Sequence, residues 1–184
     1  MVTSIRPRDW DPSHRAPGHL ELVRQFANTV DLYRGDDLLA DVDQAALTLK
    51  SLGLLAEGEP FGDAELEQTR GFRTAMRSVF VDDEHSPRSG IPALEFRVIF
   101  DGVGRVETET TSTGLWGQLS DLSVEVWLAG RTGELSRLKA CANPGCRWLF
   151  WDPSRPGTGR WCSMQVCGGQ QKARNYRARK RQTS

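Results

Sequence analysis

The chain reads as α+β: a helical N-terminal domain with one β-hairpin, then a small cysteine-rich unit and a basic C-terminal helix. Three observations carry that reading. Apolar residues follow a helical period to about residue 80, alternate over residues 94–110, and return to the helical period from Leu115. All four cysteines fall in the last 44 residues, spaced C-x4-C-x15-C-x4-C. Charge is segregated: residues 1–136 hold 13 Lys and Arg against 23 Asp and Glu, while residues 137–184 hold 11 basic residues against one acid, Asp152. The formal net charge of zero therefore hides an acidic body and a basic tail, and the tail suits a polyanion.

Residues 1–18 contain three prolines and three arginines without a period and read as a flexible leader. Leu20 to Tyr33 places Leu22, Phe26 and Val30 at helical spacing, with Val23 alongside. Asp41 or Asp43 can cap a second helix running to about Leu52, with Leu47 and Leu55 apolar and Gly53 near its end. Asp63 suits the N-cap of a third helix, where Leu66, Phe72, Met76 and Val79 or Phe80 form the buried stripe. Its acids Glu65 and Glu67 come early and Arg73 and Arg77 late, as the helix dipole favours. Val81 to Pro92 has the composition of a loop.

Leu94, Phe96, Val98 and Phe100 then alternate, Asp101-Gly102-Val103-Gly104 turns the chain, and Val106, Thr108 and Thr110 alternate on the return. That predicts a β-hairpin with one buried face. Leu115, Leu119, Leu122 and Val126 restart a helix with Trp116 and Trp127 on its shoulders, and Gly130 to Gly133 end it. A short segment with Leu135 and Leu138 leads to Cys141. The expected division is a leader at 1–18, a folded domain at 19–133 and the cysteine-rich unit at 134–184. His14, His19 and His85 have no catalytic spacing and read as solvated surface residues.

Cys141, Cys146, Cys162 and Cys167 form two short pairs joined by an arm long enough to fold back. A tetrahedral Zn2+ site needs that arrangement of four converging soft ligands. Two disulfides would use the same residues but need an oxidising compartment. The charged start of the chain offers no apolar signal segment, so a cytoplasmic location is expected. Ser163 is placed to N-cap a helix carrying the fourth ligand in its first turn. Trp148, Phe150, Trp151 and Trp161 read as a small core around the metal loops, with base stacking as the alternative.

Beyond the fourth cysteine, Lys172, Tyr176, Arg179 and Lys180 make one helical stripe, and Arg174, Arg177 and Arg181 make another on roughly the opposite side. Such a helix has no apolar face and suits a groove between two phosphate walls; a frayed, solubilising tail is the bland alternative. Arg155, Arg160, Lys172, Arg174, Arg177 and Arg179 are the candidate contacts to double-stranded DNA.

Cys141-Ala142-Asn143-Pro144-Gly145-Cys146-Arg147-Trp148, Arg160-Trp161-Cys162 to Gly168, and Lys172-Ala173-Arg174 resemble the CGNR zinc-finger family over residues 135–181. Members usually carry this finger behind an N-terminal ABATE domain and are described as stress-induced transcription regulators. Ala27-Asn28-Thr29-Val30-Asp31 resembles that domain's Val-Asn-Thr signature. The family's Cys-Gly-Asn-Arg reads here Cys167-Gly168-Gly169-Gln170, so an amide and a guanidinium are replaced. Restoring both is expected to tighten DNA binding if the missing arginine is a contact.

The resemblance implies a DNA-binding transcriptional regulator whose N-terminal domain senses a small-molecule effector or forms a homodimer. The alternative is a zinc-stapled module that binds protein or RNA. No catalytic constellation occurs, and four cysteine ligands leave zinc no open position, so no enzyme is expected. No run reaches the ~20 apolar residues of a membrane span.

Overall fold

The computed structural model describes residues 14–81, 95–100 and 102–182. It is α+β. Helix α1 (Leu20–Ala27) is followed by the small strands β1 (Val30–Asp31) and β2 (Asp36–Asp37), then α2 (Val42–Ser51) and α3 (Asp63–Ser78). Strands β3 (Phe96–Phe100) and β4 (Val106–Thr110) form a hairpin ahead of α4 (Gly114–Thr132). After a 3-10 turn at Glu134–Arg137 come β5 (Leu138–Ala140) and β6 (Leu149–Trp151), a π-helical turn at Met164–Gly168, and α5 (Gly169–Gln182). Among the described residues no helix is long and apolar enough to cross a membrane.

Helix α1 lies against both α3 and α4. The rings of Phe26, Phe72 and Trp116 join the three helices, at 5.9 and 6.3 Å between centroids. Asp41 caps α2 by accepting from the Gln44 N–H, as expected of one of its two candidate aspartates. On α3 the cap position falls to Gly62, whose N–H donates to the Glu65 carboxylate at 2.9 Å, and Asp63 is the first helical residue. Gly133, at φ 82°, closes α4 in the left-handed conformation that its missing Cβ permits.

Four expectations need correction. Helix α1 stops at Ala27 rather than Tyr33, because Asn28 and Thr29 turn their side chains to other partners. Leu47 is exposed, and α2 buries Ala45 and Leu49 instead. His14 is half-buried, its ring 5.4 Å from Phe150 and its Nδ1 3.2 Å from the Cys162 carbonyl oxygen, and Ala16 is buried with its N–H on Glu21. The end of the expected leader is therefore pinned; residues 1–13, the expected loop over residues 82–92, His85 and Leu94 lie outside the described residues.

The largest correction concerns β3–β4. The strands and turn form where the alternation placed them, with Gly102 and Gly104 at positive φ. The apolar face is not buried: Val98, Phe100 and Val106 are all exposed. Among the described residues, α4 meets the hairpin only at its base, where Phe96 and Thr110 lie beside Ser120, Ser123, Val124 and Trp127.

The core also crosses the boundary expected at residue 133. Leu138 and Leu149, from β5 and β6, belong to the same buried cluster as Val23, Phe26 and Leu119. Burying two leucines of this kind stabilises by roughly 1.5–3 kcal/mol each. The seam is also hydrogen-bonded: Asn28 donates through Nδ2 to the Leu149 carbonyl at 2.8 Å and accepts from the Leu149 N–H at 2.9 Å. One side chain thus substitutes for a neighbouring strand along β6. Arg77, buried on α3, donates to the carbonyls of Ala27 and Arg147 and closes the seam on its other side.

Candidate metal centre and basic helix

Strand pairing starts the site. The β5–β6 ladder continues as the Cys141 N–H donates to the Trp148 carbonyl at 2.8 Å, so residues 142–147 must loop out and return. Asn143 shapes that loop. Its carbonyl accepts from the N–H groups of Cys146 and Arg147, and its side-chain oxygen accepts from Gly145. Arg147 completes the turn in the left-handed region, at φ 52°. Cys141 and Cys146 are thereby brought to face one point.

The second pair arrives on an arm fixed by buried polar groups. Asp152 accepts from Lys139 Nζ at 2.8 Å and from the N–H groups of Ser154 and Gly159, while Arg137 donates to the carbonyls of Asp152 and Ser154. Burial opposes ionisation of Asp152, but those donors outweigh it and hold the carboxyl well below the usual aspartate range. The Ala142 N–H donates to the Arg160 carbonyl and ties the arm to the first loop. Ser163 then caps the next turn, its hydroxyl accepting from the Val166 N–H at 3.2 Å, as the sequence predicted. The turn is π-helical, the Gly168 N–H reaching back to the Ser163 carbonyl, and it carries Cys167 inward.

All four Sγ atoms lie within 4.8 Å of one another, and all four cysteines are buried. Cys146 and Cys162 are 3.6 Å apart, Cys162 and Cys167 3.9 Å. A tetrahedron with zinc–sulfur bonds of about 2.3 Å has edges of about 3.8 Å, whereas a disulfide needs about 2.05 Å. The spacing fits a metal and not a bond.

The acid–base chemistry agrees. Hydrogen bonds from Cys146 and Cys162 pull the Cys141 thiol far below the usual thiol range. The same pairing with Cys141 pushes Cys146 and Cys162 up, and burial pushes Cys167 up. Sulfurs this close become thiolates together only around a cation.

The surroundings complete the fit. Asn143 Nδ2 is 3.5 Å from the Cys167 sulfur, in place to donate to it. Trp148 and Phe150 are buried with the cysteines, and Tyr33, Trp161 and Val166 pack against them. Trp148, Phe150 and Trp161 thus form the small core foreseen, while Trp151 packs into the main core. Burial lowers the Arg77 guanidinium to about 10, with Arg73 adding to the fall and negative charge on Cys146 resisting it.

Such a centre, four buried cysteines closing a loop-and-turn knuckle, defines a structural zinc site. Residues 137–180 match the CGNR zinc finger family, a segment that contains all four ligands. The matched segment leaves the N-terminal body outside it. No curated protein matches the chain.

The six candidate DNA contacts are all exposed. Lys172, Arg174, Arg177 and Arg179 lie on α5, whose sequence holds six basic residues and no acid. Arg174 also donates to Gln171 within that helix. Arg155 sits on the arm, where its carbonyl accepts from Arg137. Arg160 places its guanidinium 5.5 Å from the centre of the Trp161 ring. Arg137 and Lys139, counted in the basic balance, are engaged inside the arm instead.

Gln170 is engaged within the fold. Its amide donates to the Tyr33 hydroxyl at 2.7 Å, and its oxygen lies 3.4 Å from Asn143 Nδ2. Arginine has no acceptor to replace that oxygen, so restoring the family's residue would break this bridge. Gly169 is less constrained: an added Cβ would come no nearer than 3.6 Å to the Met164 carbonyl oxygen. Asn28, Tyr33, Arg77 and Asn143 are the functional positions that sequence reasoning missed. Asn28 and Asn143 lay inside recognised motifs, but nothing local reveals that Asn28 bonds Leu149, 121 residues on, or that Asn143 reaches Cys167 and Gln170, 24 and 27 residues on.

Proposed function

We propose that this protein is a non-catalytic, cytoplasmic, DNA-binding transcriptional regulator. In this reading the zinc centre fixes where α5 begins, α5 lies along duplex DNA, and the body senses an effector or pairs subunits. The observation that carries it is the geometry of α5. Fourteen residues with six cations and no acid start two residues after the last cysteine, and all six cations are exposed. A helix whose cations stand exposed on both sides suits a groove walled by phosphates.

Four cysteine ligands fill the tetrahedron, which supports a structural rather than a chemical role for the metal. Fluorescence anisotropy with a labelled duplex at graded salt tests the reading. If Lys172, Arg174, Arg177 and Arg179 each neutralise a phosphate, log affinity falls against log salt with a slope of roughly −3.6. Arg177→Ala should flatten that slope by about one unit. Binding no tighter than that of an unstructured peptide of equal charge would sink the reading. Exposed Tyr176 favours a second reading, in which α5 binds single-stranded RNA by stacking. Competition by unlabelled RNA on the same assay separates the two.

A further inference from the structure

The register of β3–β4 sorts its side chains into two unlike faces. Arg97 pairs with Glu109 and Ile99 with Glu107 on one side, where Arg97 and Glu109 also form an ion pair of 2.8 Å. On the other side Phe96 lies across from Thr110, Val98 from Thr108 and Phe100 from Val106. That second face carries no charge from base to tip. Its base is covered, Phe96 being half-buried with its ring 5.4 Å from that of Trp127. Beyond the base, Val98 is 48% exposed, Val106 61%, Phe100 73% and Val103 in the turn 82%.

We propose that this face is the seat of a symmetric dimer, in which a second copy of the chain lays its own β3–β4 face across it. A two-stranded hairpin with an open apolar side is marginal by itself and is stabilised by a further apolar layer. The exposed area of these residues and Trp127 is on the order of 600 Å², close to the ~800 Å² that each partner gives a standard interface. A face without charge offers no handle to an acidic or basic partner. A two-fold axis supplies a matching hydrocarbon surface automatically, since each patch meets its own counterpart.

The charge balance adds a signature. The full chain has a formal net charge of zero, its acidic body offset by its basic tail, so pairing through an uncharged face should vary little with salt. DNA binding would instead weaken steeply as salt rises.

The proposal rests on the pairing role given to the body above, and its test needs no DNA. Sedimentation of the full-length, zinc-loaded protein over a concentration series should show a dimer whose affinity changes little with salt. Phe100→Glu should weaken it at least about a hundredfold, by removing an aromatic contact and placing a charge near the axis. Glu107→Lys, on the solvated face, should leave it within about threefold. Both positions are exposed, so an unchanged melt of the monomer verifies that neither variant is misfolded. A wild-type chain that stays monomeric overturns the proposal, as does a Phe100→Glu chain that pairs like its parent or a Glu107→Lys chain that fails to pair. A monomer that still binds duplex would sink the pairing alone; a dimer indifferent to DNA would sink the regulator reading alone.

Discussion

The β3–β4 hairpin has five-residue strands and a regular alternation of apolar and polar residues, and it stands exposed. The β5–β6 hairpin has three-residue strands and no alternation that the sequence advertises, and it is buried. The strands themselves do not explain the difference. What separates them is the polar contact each receives: β6 meets Asn28, which satisfies both backbone groups of Leu149, while Arg77 takes up the carbonyl of Arg147 just before it. Alternation fixes which residues share a face. It does not say whether another element arrives to cover that face.

Zinc removal should separate the two hairpins most sharply. Structural zinc contributes on the order of 10 kcal/mol to a module of this kind, and β5–β6 shares the core of the body. Chelation, or Cys162→Ser, is therefore expected to lower the melting temperature of the whole protein. Calorimetry that finds a body transition indifferent to chelator would break the comparison.

Truncation after residue 133 comes next. It removes Leu138 and Leu149 from the core and leaves Asn28 and Arg77 with unpaired buried groups, a loss of several kcal/mol. Residues 1–133 should expose apolar surface and lose near-ultraviolet circular dichroism. A cooperative melt of that fragment would instead support the division expected at residue 133.

Asn28→Ala should cost about 2–4 kcal/mol, because the N–H and carbonyl of Leu149 both lose their partner where water does not reach. Val98→Thr, on the open face, should stay within about 0.5 kcal/mol in the monomer. Urea titrations of the two variants under identical conditions measure the contrast directly.

The two ion pairs give a narrower contrast of the same kind. Asp152→Asn removes a buried partner of Lys139 and should cost about 1–3 kcal/mol at neutral pH. Its folded carboxyl lies below the unfolded value, so its stabilisation is present at neutral pH and fades as pH falls below about 4. The gap between variant and parent should narrow there. Glu109→Gln, on the exposed pair with Arg97, should change stability by less than about 0.5 kcal/mol.

The metal site was legible because its information is local: the cysteine spacing, the Ser163 cap and the aromatic residues around them all act within about 30 residues of chain. Helices α2, α3 and α4 were legible for the same reason, through periodicity and terminal residues. Asn28 was not, since its amide reads as an ordinary helix end until Leu149 is placed beside it. The open face of β3–β4 was misread because Phe96, Val98 and Phe100 have the same pattern whether covered or bare. At Gln170 the sequence shows only a guanidinium replaced by an amide. Its present use depends on Tyr33, which no feature near residue 170 reveals.

The start of α5 has one further consequence. Helices are commonly stabilised at their first turn by an acidic side chain set against the positive end of the backbone dipole, and α5 has none. What stands there instead is Cys167, one of four thiolates whose combined charge exceeds that of a zinc dication. The metal cluster thus serves α5 as an anionic terminus, a contribution of roughly 0.3–1 kcal/mol to a helix with no apolar side to hold it. Losing zinc would accordingly fray α5 from its first turn.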